Sequence, residues 1–324
     1  DRYRVIIKHI KNIRVMKKGK IFTNCLLSIY TIITAISFAS CSADNDDIVN
    51  YGTNEVAATS VEAPFSVILK AYSENQDITA NGDVDNTTLY VFDENNDFYT
   101  QLAVSREYLL QAKPIEISCP GASKITVVAW AGISNENEDI SALNQANIIS
   151  DLQVKLKQNN GVASSFPSDL FYGQATVNHS ATKASAQELR IERKVSSISL
   201  ITKGIIKMYD SMEGNYYYKI KKTKSCFNYN GELTGSDVEY IIPATVNENG
   251  YLISKRTAIL PASDIVVELY KDDHLILSSE NSKNPEILSA NEGEQANIVF
   301  DLSRNSFSFT VSDWGTVAQY VTIG

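Results

Sequence analysis

Short β-branched runs, each closed by a turn signal, recur along nearly the whole chain, and no stretch sustains a helical period. Strand residues alternate between two faces, so a run such as Phe65, Val67 and Leu69 against Ser66, Ile68 and Lys70 reads as a half-buried strand. Thr88–Phe92 and Phe98–Leu102 flank the polar turn Asp93–Asp97 and read as a hairpin. Ile115–Cys119 and Lys124–Trp130 follow, parted by Pro120-Gly121, and Leu152, Val154 and Leu156 alternate as a further strand. Runs resume at Glu188–Ile191, Ser197–Ile201, Tyr216–Ile220, Glu239–Ile242, Thr257–Leu260, Ile265–Tyr270, His274–Leu277, Ala296–Phe300 and Phe307–Val311. Tight turns stand at Asn230-Gly231, Asn249-Gly250 and Glu292-Gly293. The fold class is all-β, with paired sheets packed as sandwiches.

The first forty residues belong to a different kind of segment. Met16-Lys17-Lys18-Gly19-Lys20 is a basic head, and a largely uncharged run leads from Ile21 to Phe38. Phe38-Ala39-Ser40-Cys41 then fits a lipoprotein cleavage site: small residues admit the peptidase, and the Cys41 thiol takes a diacylglycerol before the cut after Ser40. A membrane-spanning helix is the competing reading, but it needs about 20 consecutive apolar residues. Residues 1–15 are expected to be a non-native or mistranslated leader and residues 16–40 the signal peptide. Residues 41–62 form an acidic tether around Asp44, Asp46 and Asp47. The body is expected to comprise an N-terminal sandwich over 63–180 and a C-terminal one over 188–324. Thr176 to Gln187 serves as the linker.

Charge and side-chain chemistry exclude several functions. Net charge is −9 and the leader is basic, so the mature body is more acidic still and unsuited to nucleic acid. Apolar residues make up 44%, enough for a packed core. His179 and His274 are far apart with no cysteine or histidine beside them, no nucleophile elbow is present, and His179 reads as a loop residue; neither a catalytic centre, a metal site nor a cofactor is expected. Cys119 and Cys226 read as unpaired buried residues. Asp93–Asp97 has oxygens at alternate positions, yet Phe98 stands where a calcium loop turns on glycine and Val104 where it closes on glutamate. Tyr216-Tyr217-Tyr218 suggests a sugar-stacking platform, but consecutive strand residues point to opposite faces.

Three motifs in order bear on the family: Leu89-Tyr90-Val91-Phe92-Asp93-Glu94-Asn95, then Val127-Val128-Ala129-Trp130-Ala131-Gly132, then Ser168-Asp169-Leu170-Phe171-Tyr172-Gly173. With Glu192-Arg193-Lys194-Val195 and Val311-Ser312-Asp313-Trp314, they resemble the FimB-type fimbrial anchor subunits of the Bacteroidales, within the fimbrillin superfamily. The turn departs from that pattern, with Asn95-Asn96 where a glycine is more usual. The resemblance implies two transthyretin-like β-sandwich domains and a structural, non-enzymatic role. It also implies an outer-membrane lipid anchor at Cys41, facing outward, and fimbrial subunits as partners joined by strand addition. A polymerising stalk or tip fimbrillin is the first alternative. Such a subunit is cut by a basic-site protease, and no Lys or Arg lies between Cys41 and Lys70, although Arg106 and Lys113 follow. A surface glycan-binding lipoprotein is the second. The run Phe307, Phe309 and Val311, continued by Val317–Ile323, is a candidate sheet edge or donated strand; its alternation suits an internal strand equally.

Overall fold

The computed structural model describes residues 63–179, 186–208, 213–281, 287–304 and 306–314. Cys41, Ser40, the acidic cluster Asp44, Asp46 and Asp47, and most of the expected linker lie outside them. The described residues belong to one compact unit.

Strands dominate, as the short branched runs require. In the first half they are β1 (Phe65–Ser73), β2 (Gln76–Asp77), β3 (Thr87–Phe92), β4 (Phe98–Val104), β5 (Ile115–Ile117) and β6 (Lys124–Ala131). Next come β7 (Glu138–Asp139), β8 (Val154–Leu156), β9 (Gln158–Asn159), β10 (Val162–Ala163), β11 (Phe171–Asn178) and β12 (Gln187–Arg193). The second half holds β13 (Ser196–Lys203), β14 (Tyr216–Phe227), β15 (Leu233–Val246), β16 (Leu252–Ser254) and β17 (Thr257–Ile259). It ends with β18 (Ala262–Lys271), β19 (His274–Ser278), β20 (Leu288–Ala290), β21 (Glu294–Asp301) and β22 (Ser306–Asp313). Helices are short: α1 (Arg106–Leu110) is started by Ser105, whose hydroxyl accepts the Tyr108 N–H. Among the described residues no helix is long and apolar enough to cross a membrane.

One sheet runs β2-β1-β12-β11-β6-β3-β4 and the other β19-β18-β14-β15-β16-β13-β21-β22. At its centre, along β3 and β6, the first sheet is buried on both faces. Val127 and Ala129 of β6 join a core with Val67, Leu69, Leu89 and Leu109, whereas Val128 and Trp130 face a second, larger core. Burial on both sides explains why Lys124–Ala131 reads as a continuous apolar run instead of alternating. The second sheet folds over that larger core through β16: Tyr218, Ile220, Val267 and Leu269 come from one arm and Ile198, Leu200, Ile298 and Phe300 from the other.

Strand pairing crosses the boundary expected between the halves. Gln187–Arg193 pairs in parallel with β1, and Val154–Leu156 pairs with β14. Thr176–Asn178, expected in the linker, continue β11 beside β6, because Val177 is buried there against the first core. Ser306–Asp313 is an edge strand among the described residues, paired only with β21. Tyr216 and Tyr218 enter the core while Tyr217 stacks on Tyr270 on the opposite face, 5.2 Å between centroids. Cys119 and Cys226 are buried free thiols. His179 is more than a loop residue: its ring meets Phe65 edge to face at 5.6 Å.

Candidate functional site

The motif residues converge where the first sheet meets the second half of the chain. Arg193 at the end of β12 is 4% exposed and donates Nε and Nη2 to the two oxygens of Asp169, at 2.8 and 3.0 Å. Its Nη1 reaches Ser73 Oγ at 2.8 Å. The guanidinium carbon also lies over two aromatic rings, 4.9 Å from the centroid of Phe171 and 4.5 Å from that of Trp314. Trp314, just past β22, is tied in turn by its N–H to Glu74 Oε1 at 3.2 Å. Burial and the neighbouring carboxyl of Asp313 raise the Glu74 pKa above the usual carboxylate value. One cation thus joins β1, β11, β12 and the chain after β22, satisfying a buried charge that would otherwise be costly.

Glycines make the close approaches possible. At Gly132, φ is +77° and a Cβ would stand 1.9 Å from the Asp169 carbonyl oxygen; at Gly173 it would stand 2.1 Å from that of Arg190. Leu170 is buried and its carbonyl accepts the Lys194 N–H at 2.8 Å. Lys194 pairs with Glu292 at 2.5 Å, although burial still raises the Glu292 carboxyl. Trp130 is fully buried, its ring 4.9 Å from Tyr172 and 5.8 Å from Phe227. The Tyr172 hydroxyl donates to the Tyr229 carbonyl at 2.8 Å, and burial raises its pKa. Phe92 packs in the same core, edge to face with Phe98. Asp93 holds its turn by accepting the N–H groups of Asn95 and Asp97 at 2.8 and 3.0 Å, and Asn96 takes the left-handed φ of +66° in place of glycine. These side chains form a structural joint, with their oxygens spent on the protein itself.

Arg193 and Trp314 were visible as parts of motifs, but Ser73, Glu74, Gly231 and Glu292 carried no sequence signal beyond turn chemistry. The packing of Gly231 against the Tyr172 ring, where a Cβ would stand 2.4 Å away, arises only from the fold.

A second functional feature lies at the sheet edges, where backbone groups can pair with another chain. Among the described residues β2, β4, β19 and β22 end their sheet paths, and β2 is only two residues long. The pairing of β4 is broken by a bulge, and residues 147–149 cross its start through Phe98 N–H to Asn147 O at 2.7 Å. A bulge also interrupts β19. β22 is regular: eight consecutive residues pair with β21, and Lys, Arg and Pro are absent from its sequence. Bulges and basic residues are the usual guards of an edge, and β22 has neither.

Residues 58–320 match the family described as fimbrillin-A associated anchor proteins Mfa1 and Mfa2. The chain belongs to this family. Among curated relatives, the major fimbrium anchoring subunit FimB of Porphyromonas gingivalis strain ATCC 33277 is 27% identical over 274 residues, covering 79% of this chain and 88% of that protein. A Bacteroides thetaiotaomicron protein provisionally described as polysaccharide binding shares the fold with TM-score 0.62 at 18% identity, covering 80% of this chain and 99% of its own. The fimbrial anchor protein Mfa2 from Porphyromonas gingivalis does so with TM-score 0.53 at 13% identity, over 78% of this chain and 98% of its own. The joint therefore belongs to a β-rich anchor-family body, and several of the motif residues, Trp130, Gly132, Asp169, Tyr172, Arg193 and Trp314 among them, help hold it together.

Proposed function

We propose that the chain is the anchoring subunit of a cell-surface fimbria, held at the outer membrane through an acylated Cys41 and facing the cell exterior. Its role is mechanical, with no catalytic step. The family match over residues 58–320 is the observation that carries this reading. An anchor needs a lipid, a tether and a means of gripping the next subunit. The lipobox ending in Cys41 and the acidic stretch Asp44, Asp46 and Asp47 suit the first two. For the third, we propose strand addition along β22, whose regular, unguarded edge suits backbone pairing. The two-sandwich division of the body belongs to the same reading, with the Arg193 joint transmitting load between its parts.

Ser308 and Thr310 are exposed on β22, so charges there should block a partner strand while leaving the body folded. The double variant S308K/T310K, tagged and recovered from cells with chemically cross-linked surface fimbriae, is expected to lose fimbrial subunits from the recovered complex while its Tm stays within a few degrees. Undiminished recovery of those subunits would sink strand addition at β22.

A further inference from the structure

The second sheet is split by a cleft. β15 pairs with β14 along one side; on the other, Ala244–Val246 pair with β16 and Glu239 with Val162 of β10. Among the described residues Tyr240–Pro243 have no strand partner there, and β17, across the gap, pairs only with β13. A proline in a strand needs a free edge, and Pro243 sits in the stretch that has one. The cleft has a volume of about 840 Å³, within the range of small-ligand sites.

Its lining combines apolar rings with positive charge. Phe166 lies against Tyr240, nearly parallel at 17° and 6.2 Å, and Pro167 and Pro243 extend the apolar wall. Lys255 and Arg256 stand exposed at the rim, and the lining contains no Asp or Glu. Glu138, beside the lining residue Asn137, is 2% exposed and accepts hydrogen bonds from Ser134 and Ser168, so its carboxylate is occupied behind the wall. Two cations line the groove in a chain of net charge −9; the carboxylate acting on Arg256 is that of Asp169, which is already paired with Arg193. Ser165 adds a buried hydroxyl oxygen without a hydrogen-bond partner, a group that calls for a ligand or water.

We propose that this cleft binds an acidic sugar, of the uronic acid class, as a short segment of an anionic glycan. The C–H face of a pyranose suits the Phe166 and proline wall, its carboxylate suits the Arg256 fork and Lys255, and a ring hydroxyl suits Ser165 Oγ. Length selects a sugar over a peptide strand. Four unpaired residues span roughly 13 Å at the strand rise, closed by β10 at one end and β16 at the other, and Pro243 offers no N–H. That leaves room for two or three sugar rings and little ladder for a strand. The site is separate from the β22 edge and does not depend on the anchoring role.

The test is calorimetric titration of the detergent-solubilised full chain with trigalacturonate, with maltotriose and triglutamate as controls and Tm measured for every variant. Saturable binding of trigalacturonate alone is expected, at least tenfold weaker in K255A and R256A and weakened in S165A. K255A and S165A keep the test decisive should R256A, which loses the Arg256 Nη1 hydrogen bond donated to Gln295 Oε1 at 3.4 Å, unfold. No saturable binding, or binding that K255A and S165A leave unchanged, would overturn the proposal. Equal binding of maltotriose would remove the role of the carboxylate, and equal binding of triglutamate would reassign the cleft to acidic peptides; either result contradicts the sugar assignment.

Discussion

Arg193 carries the heaviest single burden in the joint because its charge is buried and every partner belongs to a different strand or turn. Removing one partner of a buried pair costs about 3–5 kcal/mol, and here the low end applies because the Asp169 side chain left behind keeps 36% of its surface in water. R193A is therefore expected to lower stability by that order in chemical denaturation. The double variant R193M/D169L should lose less than R193A, because no unpaired charge remains. A double variant as unstable as the sum of both single changes would contradict the coupling. Gly132 fails differently. G132A must fit a Cβ 1.9 Å from the Asp169 carbonyl and adopt a left-handed backbone, so a loss of at least about 2 kcal/mol is expected in the same denaturation. A G132A protein of unchanged stability would show that the two segments can separate freely.

At the scale of elements, alternation made the strands legible while their neighbours stayed hidden. Phe65–Ser73 and Thr87–Phe92 form where the sequence places them, because their apolar residues are set by local period. Partnership depends on contacts between residues far apart in the chain. Nothing near Gln187 indicates that it pairs with Val67, and nothing in Val154 that it lies beside Phe227. Phe171–Gly173 is recognisable as the end of a motif, but the strand Phe171–Asn178 is not, since Gly173 and Gln174 interrupt its apolar pattern. The joint shows the same division: Trp130, Gly132 and Asp169 could be singled out, whereas Ser73 and Glu74 gained meaning only once Arg193 and Trp314 were folded onto them. Edge identity was likewise closed to sequence, since Phe307–Val311 alternates as an internal strand would. β4 supplies the control for the edge that matters. Gln101 is exposed on a strand already bulged and partly crossed, so Q101K should leave recovery of fimbrial subunits intact where S308K/T310K abolishes it. Equal loss from both would mean that added charge acts generally and not through β22.

At the scale of the molecule, the larger core is rich in tyrosine, and burial raises the phenols of Tyr218 and Tyr240 strongly and that of Tyr90 up to about 12. A phenol whose folded pKa exceeds its unfolded value of about 10 contributes stability that is present below that pH and lost as pH rises toward the folded value. Absorbance at 295 nm is thus expected to rise in two stages, exposed tyrosines first and the core tyrosines with unfolding near or above pH 12. A single smooth titration centred near pH 10 would contradict a closed core.

The anchoring claim itself is tested most directly by where the fimbriae go when the lipid is removed. In cells whose only copy of the chain carries Cys41→Ala, quantitative immunoblotting of washed cells and culture medium measures the attached and shed fractions of assembled fimbriae. The account predicts normal polymer that is shed into the medium, with the variant chain no longer held in the membrane fraction. Fimbriae that stay on the cells at the unmodified level, while the variant chain carries no lipid, would contradict it.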